Sequence, residues 1–232
     1  MLIKWFPRSW IQIKSQGKVV YFDPSYIGTY FKKYQKKVVF SDNEDDCLPE
    51  NLEKADLILI SHTHKDHCKE ITISRLSSEN TIILTPQKYK DNDDSNVKII
   101  EPGCNYSFQN ISVETVNAYN MLSGSSVRKV HKKGKCAGYI INIEGKRIYF
   151  SGDTDFIPEM KDLSDIDIAI LPIGGVFTMD MEEAADAVLA IKPGCVIPVH
   201  NLKNDPEQFK TILMGKSDIT AVIPHMGEEY EF

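Results

Sequence analysis

Four side chains that commonly bind metal ions lie within six residues of one another. The segment reads His62-Thr63-His64-Lys65-Asp66-His67 and follows the apolar run Leu57-Ile58-Leu59-Ile60, which is typical of a buried strand. If the chain stays extended beyond that strand, the side-chain period of two makes His62 and His64 point the same way and bind one ion. Asp66 and His67 come where the chain enters a predicted helix, Cys68 to Ser77, and would project in a different direction, toward a second ion. Such a cluster does not contribute to apolar packing, and burying it without partners would cost free energy. The segment therefore predicts a metal site.

Three further candidate ligands occur next to predicted strands. His131 lies in a basic loop before a β-rich stretch, Asp153 follows the strand Lys146–Phe150, and His200 ends the run Cys195–Val199. Loops at strand ends are where a site can be assembled from distant parts of a chain. Each of these residues alone is weak evidence for metal binding. Together they complete the set of ligands that begins at residues 62–67.

The elements that must position these residues are mostly strands. In the first third the pattern predicts strands at Leu2–Phe6, Trp10–Lys14, Lys18–Phe22 and Lys37–Phe40, with Asp23-Pro24 ending the third of them. Later strands are predicted at Thr81–Leu84, Val97–Ile100, Ala137–Ile143, Asp167–Leu171, Ala221–Ile223 and Glu229–Glu231. Ser107 to Val116 is predicted to form strands with a turn at Gln109-Asn110. Helices are predicted at Met181–Ile191, capped by Asp180, and at Pro206–Leu213, capped by Asp205. The pattern alone indicates two mixed sheets, and an α/β or α+β fold.

Composition restricts the class of protein. The chain has 232 residues, 42% of them hydrophobic, and a formal net charge of −6, which suits one soluble domain over residues 1–232 and argues against a nucleic-acid or membrane-surface partner. The N-terminus lacks the apolar core of a signal peptide. Five scattered cysteines without a CxxC pair indicate reduced thiols. We therefore expect a cytoplasmic protein, and the sequence leaves a homo-oligomer open.

The pattern His62-x-His64-x-Asp66-His67 resembles the signature of the metallo-β-lactamase superfamily of metal-dependent hydrolases. Two further stretches, Pro172-Ile173-Gly174-Gly175 with Thr178-Met179 and Ile197-Pro198-Val199-His200, resemble the branch related to ascorbate-6-phosphate lactonase and N-acyl-phosphatidylethanolamine phospholipase D. The likeness extends over almost the whole chain. It implies a four-layer αββα sandwich. Those relatives commonly carry Gly-His-Ser where this chain has Pro7-Arg8-Ser9, which leaves the role of Arg8 open, and His225 falls outside the motifs.

The resemblance also implies a distribution of ligands over two divalent ions. It places His62, His64 and His131 on one ion, Asp66, His67 and His200 on the other, and Asp153 between the two. A donor set of imidazole and carboxylate suits Zn²⁺ best, with Mn²⁺ or Fe²⁺ as alternatives. The expected activity is hydrolysis of an ester, lactone or phosphodiester by a hydroxide held between the metals, with Asp66 as the catalytic residue that orients it or accepts its proton.

The best indication of the substrate is local charge. Five basic residues surround His131 on an otherwise acidic protein, namely Arg128, Lys129, Lys132, Lys133 and Lys135. Positive charge beside a metal site attracts an anion, so we expect a small anionic substrate, although a solvated basic loop explains the same residues. Two other functions fit the sequence. One is a phospholipase-D-like phosphodiesterase, which would need an apolar entrance, and the other is a metal-bound binding or regulatory protein without turnover.

Overall fold

The computed structural model describes residues 1–25, 52–89 and 95–232, which fall into two compact units. The first unit comprises Met1–Ile99 and Pro224–Phe232, and the second comprises Ile100–Ile223. The strand predicted at Lys37–Phe40 and Cys47 lie outside the described residues. Among the residues described, no helix combines the length and the apolar character that a bilayer crossing requires.

The first unit contains a seven-stranded mixed sheet and one described helix. The strands are β1 (Leu2–Trp5), β2 (Ile11–Ser15), β3 (Lys18–Phe22), β4 (Leu57–Leu59), β5 (Ile82–Thr85), β6 (Val97–Ile99) and β14 (Glu229–Glu231), in the order β14-β1-β2-β3-β4-β5-β6. Strands β14 to β3 pair antiparallel, and β3 to β6 pair parallel. Helix α1 (Glu70–Leu76) connects β4 to β5. It begins later than predicted because Cys68 still belongs to a turn, in which the N–H groups of His67 and Cys68 both donate to the carbonyl of His64.

The second unit contains the other seven-stranded mixed sheet. Its strands are β7 (Asn105–Phe108), β8 (Ile111–Ala118), β9 (Cys136–Ile143), β10 (Lys146–Phe150), β11 (Ile168–Pro172), β12 (Cys195–Val199) and β13 (Thr220–Ala221), in sequential order across the sheet. Strands β7 to β10 are antiparallel and β10 to β13 are parallel. Helices α2 (Met181–Ile191) and α3 (Pro206–Met214) connect the parallel strands, and a 3₁₀ helix covers Pro158–Asp162. Both predicted N-caps are confirmed, since Asp180 accepts from Glu183 N and Asp205 from Glu207 N.

Each sheet is held by a buried apolar core. In the first unit, Trp10 is fully buried and stacks on Phe6 with ring centroids 4.3 Å apart. In the second, α2 turns Ala184, Val188 and Ile191 inward, at the three- and four-residue spacing that places side chains on one helix face. These cores fix the strands, and the strands fix the positions of the loops at their ends.

In both sheets the parallel strands lead to the predicted ligands. The segment 62–67 follows β4, Asp153 follows β10, and His200 follows β12 directly. Parallel strands have their carboxyl ends at the same edge, so residues that are far apart in sequence meet there within each unit. The prediction of two mixed sheets is therefore confirmed, and the sheet topology explains how each unit assembles its candidate residues.

Candidate metal centre

In the first unit, the ring of His62 lies between the rings of His64 and His67. The centroids are 4.6 Å apart for His62 and His64 and 4.1 Å apart for His62 and His67. We expected Asp66 and His67 to project in a different direction from His62 and His64. The ring of His67, which comes from the turn at residues 64–67, lies beside that of His62. His62 and His67 are buried, Asp66 is half-buried and His64 is exposed. The segment thus concentrates imidazole nitrogens within a few ångströms of one another.

A buried carboxylate, Asp23, organises this cluster. One oxygen accepts hydrogen bonds from the Ser61 hydroxyl and from His67 Nδ1, both at 2.6 Å, and the other accepts from the Ser61 backbone N–H at 2.6 Å. Asp23 follows β3 immediately, and its own N–H donates to the carbonyl of Leu59 in the parallel neighbour β4. The parallel pairing therefore brings Asp23 beside Ser61.

The hydrogen bonds that Asp23 accepts determine which nitrogen of each ring carries the lone pair. His67 donates its Nδ1–H to Asp23, so the neutral ring has its lone pair on Nε2. The Ser61 hydroxyl already donates to Asp23, and its oxygen therefore accepts from His62 Nδ1, 2.9 Å away. A single carboxylate thus prepares Nε2 of both His62 and His67 for a metal, as carboxylates behind metal-binding histidines do.

Sequence reasoning missed Asp23, because an Asp before a proline was interpreted only as the end of a strand. Full burial raises the pKa of its carboxyl, and the hydrogen bonds from His67 and Ser61 counteract part of that increase. The available signal was the position of Asp23 at the end of a strand that pairs parallel with β4. Strand pairing cannot be read from the local sequence, so the signal becomes visible only in the fold.

In the second unit, His131, Asp153 and His200 converge. Nε2 of His131 lies 3.6 Å from Asp153 Oδ2, and Nε2 of His200 lies 3.5 Å from the same oxygen. All three side chains are almost completely buried. A carboxylate oxygen equidistant from two imidazole nitrogens, each slightly beyond hydrogen-bond range, is an arrangement suited to shared coordination of cations.

Two neighbours hold His131 in place. Its Nδ1–H donates to the carbonyl of Phe177 at 3.1 Å, which leaves the lone pair of the neutral ring on Nε2. Asn120 accepts from the backbone N–H of His131 at 2.9 Å and donates to the same Phe177 carbonyl, also at 2.9 Å. Asn120 thus positions a candidate ligand.

The backbone at His200 depends on a glycine in the loop after β11. His200 has φ +47°, a left-handed conformation that is uncommon for residues other than glycine. A Cβ atom on Gly174 would lie 2.6 Å from the carbonyl oxygen of His200, so only glycine fits at this approach. The Gly-Gly motif identified in the sequence therefore sets the position of His200.

The five basic residues around His131 are not equivalent. Lys129 bonds to Asp155, at 3.1 Å, and Lys133 bonds to Glu159, at 2.6 Å. Arg128, Lys132 and Lys135 are exposed and form no ion pair with any residue that the structure describes. The predicted attraction of an anion therefore rests on these three residues.

The structure also shows the surroundings of Cys68, Arg8 and His225. Cys68 is half-buried in the turn before α1, rather than in the helix, and burial raises the pKa of its thiol to about 12. Arg8 is half-buried with φ +67°, and His225 is exposed, as expected for a residue outside the motifs. The four cysteines within the described ranges are free thiols.

The chemistry of these donors fits a divalent metal. In the first unit, ligand atoms of His62, His67 and Asp23 lie within 4.8 Å of one another, and in the second Asp153 is shared by two imidazoles. The donors are nitrogen and oxygen, without thiolate, which suits zinc, manganese or iron.

Comparison with known proteins identifies the family. A profile described as the beta-lactamase superfamily domain matches residues 2–200. A relative from Thermococcus kodakarensis, named a UPF0173 metal-dependent hydrolase, is 36% identical over 197 residues, which cover 79% of this chain and 84% of the relative. The chain belongs to the metallo-β-lactamase superfamily. The resemblance found in the sequence is thereby confirmed, including the branch of metal-dependent hydrolases.

Solved structures show that this superfamily member has the expected fold. A protein described as a metal-dependent hydrolase from Parabacteroides distasonis has a TM-score of 0.79 and 28% identity, covering 97% of this chain and 92% of its own. The metallo hydrolase Igni18 of Ignicoccus hospitalis has a TM-score of 0.71 and 23% identity, covering 100% and 98%. The predicted α/β, metallo-β-lactamase-like fold is confirmed.

We predict that Asp23→Asn weakens metal binding by about 10- to 100-fold, because the NH2 group of the amide would face either the Ser61 backbone N–H or the two donors Ser61 Oγ and His67 Nδ1. Competition with a chromophoric chelator measures this affinity. Asp56→Asn is the control, since Asp56 also accepts a backbone N–H, that of Val19, but its side-chain bonds go to Lys18 and Val19 rather than to a candidate ligand. Equal affinity in the Asp23 variant and the control would contradict the role given to Asp23.

We also predict that Gly174→Ala weakens metal binding, because the new Cβ displaces His200. Overpacking of this kind costs about 1–3 kcal/mol of folding free energy. Gly194→Ala is a matched control, since its Cβ would lie 2.8 Å from the carbonyl of Asp167, at the opposite end of β12 from His200. Thermal unfolding should show a loss of stability in both variants, and metal titration a loss of affinity in the Gly174 variant alone.

Proposed function

We propose that this chain is a metal-dependent hydrolase of a small molecule, with residues 1–232 acting as one hydrolase domain and two divalent ions, Zn²⁺ first among them, as cofactors. The proposed ligands are His62, His64 and His131 for one ion, Asp66, His67 and His200 for the other, and Asp153 shared between them. The observation that carries the proposal is the shared position of Asp153 Oδ2 between His131 Nε2 and His200 Nε2. The Asp23 hydrogen bonds, which prepare Nε2 of His62 and His67, support it from the other half of the ligand set.

The chemistry follows from the donors. Bound divalent ions lower the pKa of water and stabilise the negative charge that develops on an ester, lactone or phosphodiester during hydrolysis. Asp66 is half-buried at the turn after the histidines, and we assign it the catalytic role of orienting the attacking group or accepting its proton. Burial of His62, His131, Asp153 and His200 keeps solvent away from these side chains and strengthens their electrostatic effect.

The substrate is proposed to be anionic. With Lys129 and Lys133 bound to acidic side chains, Arg128, Lys132 and Lys135 retain the positive charge around His131. An exposed cationic group near the reacting centre increases the encounter rate with an anion and lowers its exit rate.

A screen of the metal-quantified protein tests the proposal. Purified protein loaded with Zn²⁺, and separately with Mn²⁺, is assayed against a phosphodiester, a lactone, a thioester and a carboxylate ester. We predict turnover of at least one class, with loss of both bound metal and turnover in Asp153→Ala. Chelation should abolish turnover, and readdition of metal should restore it. Two bound metals without turnover of any class would contradict the proposal and favour a metal-bound binding protein.

We predict that the double variant Lys132→Gln/Lys135→Gln raises KM several-fold for the substrate found in that screen, with kcat little changed, because it removes charge that attracts the anion. Steady-state kinetics at low and high salt measure the effect, which salt should diminish. Lys98→Gln/Lys210→Gln is the control, since it removes the same charge from β6 and α3. A KM that stays constant, or changes equally in the two double variants, would show that the basic loop has no part in binding.

A further inference from the structure

Three exposed apolar side chains are concentrated in the loop that leads to His131. The described residues include six exposed large hydrophobic side chains, and three of them lie between residues 122 and 130. Leu122 is 98% exposed, Val127 77% and Val130 44%. Single exposed apolar residues are normal on a protein surface, but a group in one segment indicates a binding surface.

The base of this loop is closed at the candidate ligand itself. Asn120 N donates to the carbonyl of His131 at 2.9 Å, and His131 N donates to Asn120 Oδ1 at 2.9 Å. Residues 120–131 therefore form a compact Ω-type loop whose two ends meet at His131. Leu122 follows one end by two residues, and Val130 precedes the other by one, so both lie within a few residues of the proposed metal ligand.

Hydrogen bonds and an ion pair with Asp155 hold the loop in place. Asp155, fully buried, accepts from Met121 N at 2.8 Å and from Ser126 N at 3.3 Å, and it pairs with Lys129. Lys129 also donates to the carbonyl of Gly124 at 2.7 Å. Since Asp155 follows the proposed ligand Asp153 by two residues, one short segment supports both the loop and the ligand.

A second set of bonds ties the loop to α2 and to the segment before it. Ser125 donates its hydroxyl to Glu183 and accepts from the N-cap N–H of Asp180 at 2.8 Å, so it sits within the cap of α2. Val127 N and Arg128 N donate to the carbonyls of Gly175 and Val176, at 3.3 and 2.7 Å. These bonds hold the backbone that carries the apolar side chains. A ligand that covers the side chains therefore loses little free energy in ordering the loop.

Positive charge accompanies the apolar surface. Arg128 lies between Val127 and Val130 in the sequence, and Lys132 follows His131. Both are exposed, and the guanidinium of Arg128 stands 5.6 Å from the centre of the Phe177 ring. A ligand that satisfies the loop therefore combines an apolar group with a negative charge.

We propose that the loop of residues 120–131 is a specificity element that receives an apolar group, such as an alkyl or acyl chain, of an anionic substrate. Leu122, Val127 and Val130 contact the apolar group, and Arg128 and Lys132 attract the anion. The inference rests on the proposed function, because it assigns the substrate class of the same site. The loop discriminates by chain length, and short anions without an apolar group bind less tightly.

Calorimetric binding of methyl, butyl and hexyl phosphate to the zinc-loaded full-length protein tests this without requiring turnover. Burial of a methylene group is worth about 0.8 kcal/mol, which corresponds to about fourfold in affinity, so partial burial should give a two- to fourfold tighter Kd for each added methylene. We predict that Leu122→Ser and Val127→Ser reduce this dependence and that the loss grows from butyl to hexyl phosphate. Met214→Ser is the control, since Met214 is 69% exposed on α3, and it should retain the wild-type dependence.

The outcomes separate this inference from the proposed function. A Kd independent of chain length, or one that changes equally in the Leu122 and Met214 variants, would overturn the role of the loop even if the protein hydrolyses a short substrate. A chain-length dependence that Leu122→Ser abolishes would uphold it even if no substrate in the enzymatic screen is turned over. An apolar surface can also bind a second copy of the chain, and sedimentation velocity tests this alternative. A dimer that Leu122→Ser dissociates would overturn the proposal.

Discussion

One buried carboxylate constrains the candidate ligands of the first unit. Asp23 is completely shielded from water, so its charge must be compensated by hydrogen bonds, and Ser61 and His67 provide them. The same bonds fix the rotation and the tautomer of the rings that are proposed to bind metal. Stability and function are therefore coupled at this point, because the groups that satisfy Asp23 are those that it prepares for coordination.

In the second unit, backbone groups rather than a buried carboxylate fix the orientation of the candidate histidines. The Phe177 carbonyl replaces the carboxylate as the acceptor for His131, and Asn120 connects that carbonyl to the backbone of His131. His200 is fixed by the close approach of Gly174 instead of by a polar partner. In both units the parallel strands place these residues at one sheet edge, so the topology determines where coordination is feasible and local contacts determine how each ring is oriented.

Much of this could be predicted from the sequence, because hydrophobic pattern and turn chemistry are local. The bounds of β3, β10, β12, β14 and α2 match the predicted ranges, and both N-caps are where the pattern places them. Pairing between distant segments was not predictable. Asp23 therefore escaped notice, and the basic residues were treated alike although Asp155 and Glu159 neutralise Lys129 and Lys133.

The pairing of β14 with β1 affects the order in which the two sheets are completed. Strand β14 lies beside β1, with Leu2 opposite Glu231, and the N–H of Phe232 bonds to the carbonyl of Met1. The first sheet thus lacks its edge strand until β14 has been synthesised, whereas Ile100–Ile223 precedes β14 in the chain. Folding during translation would complete the later segment before the earlier one.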